Sequence, residues 1–244
     1  MNIRIVGLDG LPEIHPGDDL AGLILAAAAD AREAITQETI VIVVQKIVSK
    51  AEGAIADLRE VRPSEFAVAW ARQWGKDARL IELILLQSRR IVRMDRGVLI
   101  AETHHGFVAA NAGVDQSNVP GQHFATLLPS DPDSSAHVLR KRLSCGALLI
   151  TDSFGRPWRE GLVNVALGVS GMDALEDCRG TLDRDGQALQ ATIVARADEL
   201  AAAAGLVMKK AAGVPVALIS GVEWSPAEGS SEPLIRQPER DLFR

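Results

Sequence analysis

Residues 39–50, TIVIVVQKIVSK, form a nearly continuous β-branched run. Successive side chains of a strand point to opposite faces, so a strand on the rim of one core alternates apolar and polar residues. This run does not alternate. It predicts a strand buried on both faces, in a sheet that carries a covering layer on each side. GALLITDSFGR at 146–156 repeats the theme as a buried strand closing on a polar turn. In a chain of 244 residues that is 47% hydrophobic, there is enough apolar material to cover such a sheet. One large domain or two small ones is the expectation.

The covering layers are visible as helical periodicity. Residues 19–35 are Ala-rich, with Asp18 or Asp19 placed to cap the start. Ser64 to Trp74 is amphipathic behind Pro63 and Ser64, and a second helix is expected from Asp77 to Ser88. LPSDPDSSAHVLRKRL reads as a loop and then a helix capped by Ser134 or Ser135, and 191–209 as the longest helix. Further strands are expected at 3–6, at RIVRMDRGVLIAET (90–103), at GFVAANAGV (106–114), at GLVNVALGVSG (161–171) and at PVALISGV. The pair His104–His105 marks a turn, and the tail from Ser225 to Arg244 is polar and contains proline. No repeat of 20–50 residues occurs. The fold class is therefore mixed, α/β or α+β, without a Rossmann or P-loop signature: no Walker A pattern and no G-x-G-x-x-G follows a strand.

Charge and cysteine content narrow the partners. The formal net charge of -6 argues against a nucleic-acid partner, which calls for a basic surplus. Two cysteines, Cys145 and Cys178, make no disulfide framework and suit a reducing cytoplasm. The start MNIRIVGLDG lacks a signal-peptide pattern, and no run reaches the roughly 18 apolar residues of a membrane span. A cytoplasmic protein without a membrane partner is expected.

Three groups of residues can carry chemistry. Asp115, Ser117 and Asn118 follow one expected strand, and Asp152 and Ser153 follow another. Carboxylate, hydroxyl and amide oxygens suit Mg²⁺ or Mn²⁺, which are hard ions. The same residue types cap turns and helices, and spacing alone leaves both readings open. Gln45, Lys46 and Lys50 could present ammonium groups to phosphates, or could be surface lysines. Arg156 and Arg159 flank Pro157–Trp158, as a clamp for an anion or as arginines packed on the indole. Adjacent His104 and His105 would point opposite ways in a strand and do not suggest a shared metal.

Six collinear blocks resemble the coenzyme F-420-0:L-glutamate ligase family. They are GLPEIHPGDDL within residues 7–20, VVQKIVSKAEG (43–53), HGFVAANAGVDQSNV (105–119), LLPSDPDSSA (127–136), TDSFGRPWREGLVNVALGVSG (151–171) and ADELAAAAGLVM (197–208). The resemblance implies a two-lobed α/β ligase, a butterfly-shaped homodimer, and the form without a following nitroreductase-like domain. It implies GTP-dependent amide formation between the deazaflavin coenzyme F-420-0 and L-glutamate through an acyl phosphate. Two divalent cations per subunit, Mg²⁺ or Mn²⁺, and K⁺ are implied with it.

By motif, Asp115, Asp152 and Ser153 match the family's metal positions, with Ser153 where Thr is more frequent. Leu11, Pro12, Glu13, Ile14, Gln45, Lys46, Lys50 and Asn118 match positions that contact GTP, as do Met208, Lys209, Lys210 and Gly213 of the following loop. Asp115, Asp152, Lys50, Arg156 and Arg159 are the residues expected to act on the reacting groups. That last loop reads VMKKAAGVP (207–215) where relatives are Gly-rich, and Gln87 stands where Glu is common. A different carboxylate acceptor, or a homologue that binds nucleotide without catalysis, are the alternative expectations.

Overall fold

The computed structural model describes residues 2–117, 121 and 123–241. The first part of the chain runs β1 (Arg4–Leu8), α1 (Leu20–Asp30), β2 (Ile40–Val44), α2 (Gln45–Ala51), β3 (Ile55–Asp57), α3 (Glu65–Trp74) and α4 (Ala78–Leu86). The strands β4 (Ser88–Asp95), β5 (Val98–Thr103), β6 (Val108–Ala110) and β7 (Phe124–Thr126) follow. The rest comprises α5 (Pro132–Leu143), β8 (Ala147–Arg156), β9 (Arg159–Ser170), β10 (Glu176–Asp177), β11 (Ile193–Val194), α6 (Arg196–Met208) and β12 (Val216–Ser220). The mixed α/β expectation holds.

The central sheet has the order β1-β12-β2-β8-β9, with β2 and β8 parallel and the other neighbours antiparallel. As its sequence requires, β2 is buried on both faces. Val41 and Val43 enter a core with Ile24 of α1, Val48 of α2 and Leu139 of α5. Ile40 and Ile42 enter another with Ala197, Leu200 and Ala204 of α6. Each such side chain contributes roughly 1.5–3 kcal/mol relative to exposure, so this strand anchors both layers. Between α2 and α5 the chain builds a separate lobe, in which α3, α4 and the small sheets β4-β5-β6 and β3-β7 enclose Leu58, Ile81, Ile84 and Leu99.

Several boundaries differ from the sequence reading. The run 39–50 is a strand only to Val44, and α2 begins without a loop. Val44 makes the last pair with β8, to Thr151. Beyond it Ile47, Val48 and Ala51 share one helical face against the first core, and tertiary packing outweighs the weak helix propensity of β-branched residues. Residues 90–103 are a hairpin, turned at Arg96 and Gly97, which both have positive φ. In 106–114 only Val108–Ala110 is strand; Asn111, Ala112 and Gly113 then turn left-handed.

The strands expected at 146–156 and 161–171 form one long hairpin, so Asp152 and Ser153 lie inside β8 rather than at its end. The helix expected from 191 starts at Arg196, because Ile193–Val194 pairs with Glu176–Asp177. Asp131, rather than Ser134 or Ser135, caps α5. The polar tail is docked: Ser230 and Ser231 bond the Asp133 carboxylate, and Ile235 packs beside Phe107 and Leu128.

Candidate functional site

β2 stops at Val44 while β8 continues to Arg156, and this mismatch in length opens a cavity of about 530 Å³ beyond the end of β2. Its wall comprises residues 11–14 of the β1–α1 loop, Lys46, Ile47 and Lys50 of α2, Asp152 and Ser153 of β8, and the chain leaving α6. Ligands in open α/β sheets gather at such strand ends, where the chain leaves the sheet.

The period of two along β8 separates its polar residues. Leu148 and Ile150 face the α1–α2–α5 core, and Leu149 faces α6. Asp152 continues the first series and Ser153 the second. Ser153 Oγ donates to Asn164 Oδ1 (2.7 Å) and accepts from Lys210 Nζ on the α6 side. Asp152 meets the charges of Lys210, Lys46 and Asp115. Burial is the largest influence on Asp152 and pushes its carboxyl above the usual range. The Ser153 N–H and the Lys210 and Lys46 charges offset this in part, and the nearby Asp115 carboxylate adds to it.

Asp115 is held by backbone. It pairs with Thr126 through N–H···O bonds of 3.1 and 2.8 Å, and Thr126 Oγ1 donates to its carbonyl as well. Its carboxylate accepts from Lys46 Nζ (2.8 Å), from the Ser117 N–H (2.7 Å) and from Ser117 Oγ (2.9 Å). Lys46 Nζ also donates to Ser117 Oγ (2.6 Å). Burial opposes ionisation of Asp115, but the Lys46 and Ser117 hydrogen bonds outweigh it and hold the carboxyl below its usual range. One turn further along α2 the buried Lys50 pairs with Glu13 of the β1–α1 loop.

The structure thus gathers most of the sequence-derived site. Leu11, Pro12, Glu13, Ile14, Lys46, Lys50, Asp152, Ser153, Met208, Lys209, Lys210 and Gly213 line one cavity, and Asp115 stands against it through Lys46. Gln45 is buried in α2, where its Oε1 accepts from Ser49 Oγ, and it does not line the cavity. Arg156 and Arg159 sit at the tip of the β8–β9 hairpin, outside the cavity wall. Asn118 lies outside the described residues. Val44, Ile47, Asn164, Gly205, Ala211, Val214 and Pro215 complete the wall without having been singled out. Asn164 had a signal: it is the one polar residue within LVNVALGV.

The carboxylates and the Ser117 hydroxyl form a hard-oxygen donor set, and the Lys46 ammonium already occupies a cation position among them. That set fits Mg²⁺ or Mn²⁺ at Asp115 and Asp152. Ser153 Oγ, bonded to Asn164 and Lys210, lines the same cavity as Asp152. Among the described residues no cluster of three or more His, Cys, Asp or Glu forms, and no helix is long and apolar enough to cross a membrane.

Residues 10–221 match the family described as F420-0:Gamma-glutamyl ligase. The chain is similar to the coenzyme F420:L-glutamate ligase of Methanothermobacter thermautotrophicus, with 44% identity over 100% of both chains. It is 45% identical to that of Methanopyrus kandleri, over 95% of this chain and 94% of the relative. The relative from Methanocaldococcus jannaschii is 38% identical over 99% and 97%. These end-to-end similarities run through every segment of the cavity wall, and the chain belongs to the F420-0:gamma-glutamyl ligase family.

Proposed function

We propose that this protein is a coenzyme F420:L-glutamate ligase that uses GTP to activate the acceptor carboxylate. The observation that carries the reading is the cavity beyond β2, where Lys46, Lys50, Lys209 and Lys210 surround a site bordered by Asp152 and Asp115. Ammonium groups act there as point charges for a triphosphate. The apolar Leu11, Pro12 and Ile14 wall the nucleoside, and Asn118 joins the nucleotide contacts. Asp115 and Asp152 would hold the divalent cations, two per subunit, with K⁺ as a further ion. Bound there, the cations supply neutralisation of charge on the phosphate oxygens.

The lysines orient the γ-phosphoryl group towards the acceptor carboxylate and balance charge as it transfers, with GDP as leaving group. The α-amine of L-glutamate then attacks the acyl phosphate carbon, inorganic phosphate leaves, and the amine proton is lost as the amide forms. Further γ-linked glutamates would follow by the same steps, in a homodimeric enzyme. The test is incubation with GTP, Mn²⁺, L-glutamate and coenzyme F-420-0, read by product mass and GDP release. The reading requires GDP release that depends on both acceptor and glutamate. Release that ignores the acceptor, or a product mass without added glutamate, overturns it.

A further inference from the structure

Lys46 stands between two environments. Its ammonium bonds Asp115 Oδ2 and Ser117 Oγ, and the residue lines the cavity together with Lys50 and Lys210. The other two have partners on the cavity walls: Lys50 pairs with Glu13, and Lys210 with Ser153. Lys46 alone of these three bonds a carboxylate assigned to the cations. Asp115 cannot retreat, because its backbone is fixed to Thr126 on both its N–H and its carbonyl. An ammonium at hydrogen-bond distance from Asp115 and a divalent cation on the same oxygens would repel at close range, so one must leave. Lysine can leave readily: its charge rides on a four-carbon stem with rotatable bonds.

We propose that Lys46 is an exchangeable counterion, holding Asp115 and Ser117 in the resting protein and turning to nucleotide phosphate once a divalent cation takes its place. This rests on the cation-and-nucleotide reading above. Lys46 is thereby a positioning residue in the metal-free state and a phosphate contact in the loaded one. Its ion pair with Asp115 competes with cation binding, and the phosphates give the displaced ammonium a new partner. Reciprocal coupling between cation and nucleotide follows from that exchange.

The test measures Mn²⁺ binding to nucleotide-free protein by electron paramagnetic resonance, for wild type, Lys46→Met and Asp152→Asn. Lys46→Met is expected to bind Mn²⁺ about three- to fivefold more tightly, the scale of a partly exposed ion pair removed from competition. Its affinity for GTP in the presence of Mn²⁺ is expected to fall. If Asp152→Asn loses Mn²⁺ but Lys46→Met binds it no more tightly than wild type, the exchange is overturned and the metal reading stands. If wild type binds no Mn²⁺, both fall together. A measurement on unaltered protein guards against a folding defect: reductive methylation of Lys46, followed by peptide mass spectrometry. Mn²⁺ alone should raise the Lys46 labelling rate several-fold, and added GTP should lower it again. A rate that Mn²⁺ leaves unchanged or lowers overturns the inference.

Discussion

Asp152 and Asp115 approach the same cavity from two regions built on different principles. Asp152 extends a strand whose preceding residues, Leu148 to Ile150, are fully buried in the two cores. Asp115 comes from the intervening lobe, after a left-handed turn, with its position set by hydrogen bonds to Thr126. The electrostatics differ in the same sense. Burial raises the Asp152 carboxyl, whereas Lys46 and Ser117 overcome burial and lower that of Asp115. The sheet thus supplies a carboxylate held at a disadvantage, and the lobe one that is already satisfied. A cation held by both would gain most from Asp152.

The sharpest way to break this contrast is Asp152→Asn. Turnover and Mn²⁺ affinity should fall by more than ~100-fold, since the change removes a ligand outright and losing a mere supporting contact already reaches that scale. The metal-free protein should keep or gain thermal stability, because a half-buried and only partly compensated carboxylate is removed. The pH dependence carries the same sign. A raised folded pKa gives stability that is present at low pH and lost as pH rises through that pKa. Calorimetry of metal-free wild type should show this loss, and the Asn variant should lack it. A variant that melts well below wild type at neutral pH would show that Asp152 is already compensated.

Gly113→Ala tests the lobe's side. Gly113 has φ +73, and an added Cβ would lie 2.7 Å from the Leu128 side chain. Strain and overlap should destabilise the protein by about 2 kcal/mol, measured by urea denaturation. Turnover should fall as well, because this turn aims Asp115. Normal turnover in a destabilised variant would separate the turn's geometry from the site.

These two regions were also unequally legible in the sequence. Strands β2 and β8 announce themselves because burial on both faces demands unbroken apolar runs, and Lys46, Lys50 and Asp152 follow from motifs attached to them. The start of α2 was hidden, because Ile47 and Val48 continue the β-branched run and only packing reveals that they share a helical face. The opposite facing of Asp152 and Ser153 was implicit in the strand period, but only for a β8 extended to Arg156. The turn at Asn111–Gly113 was obscured by Ala112, a residue that seldom adopts φ > 0 and is held there by its surroundings. Asn164 was read as part of an apolar strand, since a hydrogen bond to Ser153 leaves no mark in local sequence.

Asp115→Asn should have a smaller effect on stability, and of opposite sign to Asp152→Asn. It removes the Lys46 pair, whose partners are part-exposed and screened, so metal-free stability should drop by no more than about 1 kcal/mol. A lowered folded pKa gives stability present above the unfolded pKa and lost as pH falls through the folded one. The difference between wild type and variant should therefore vanish in acid. A variant as stable as wild type at neutral pH would mean that the Lys46 contact contributes nothing to the resting fold. Its Mn²⁺ affinity should still fall.

The smallest effect is expected at the hairpin tip. Arg159 is exposed there, and Arg156 donates to the Glu160 carbonyl rather than into the cavity. The sequence offered both as an anion clamp, because they follow Asp152 closely. Along an extended strand, however, four residues carry the chain well beyond the cavity wall. Arg159→Ala should then change turnover by less than about threefold, within the range of ordinary surface substitutions. Steady-state rates at saturating GTP and glutamate would check this. A loss above about tenfold would mean that the tip meets reacting groups, in its own chain or in a second copy. The site would then no longer be built from the sheet and the lobe alone, and the division of labour between Asp152 and Asp115 would have to admit a third contributor.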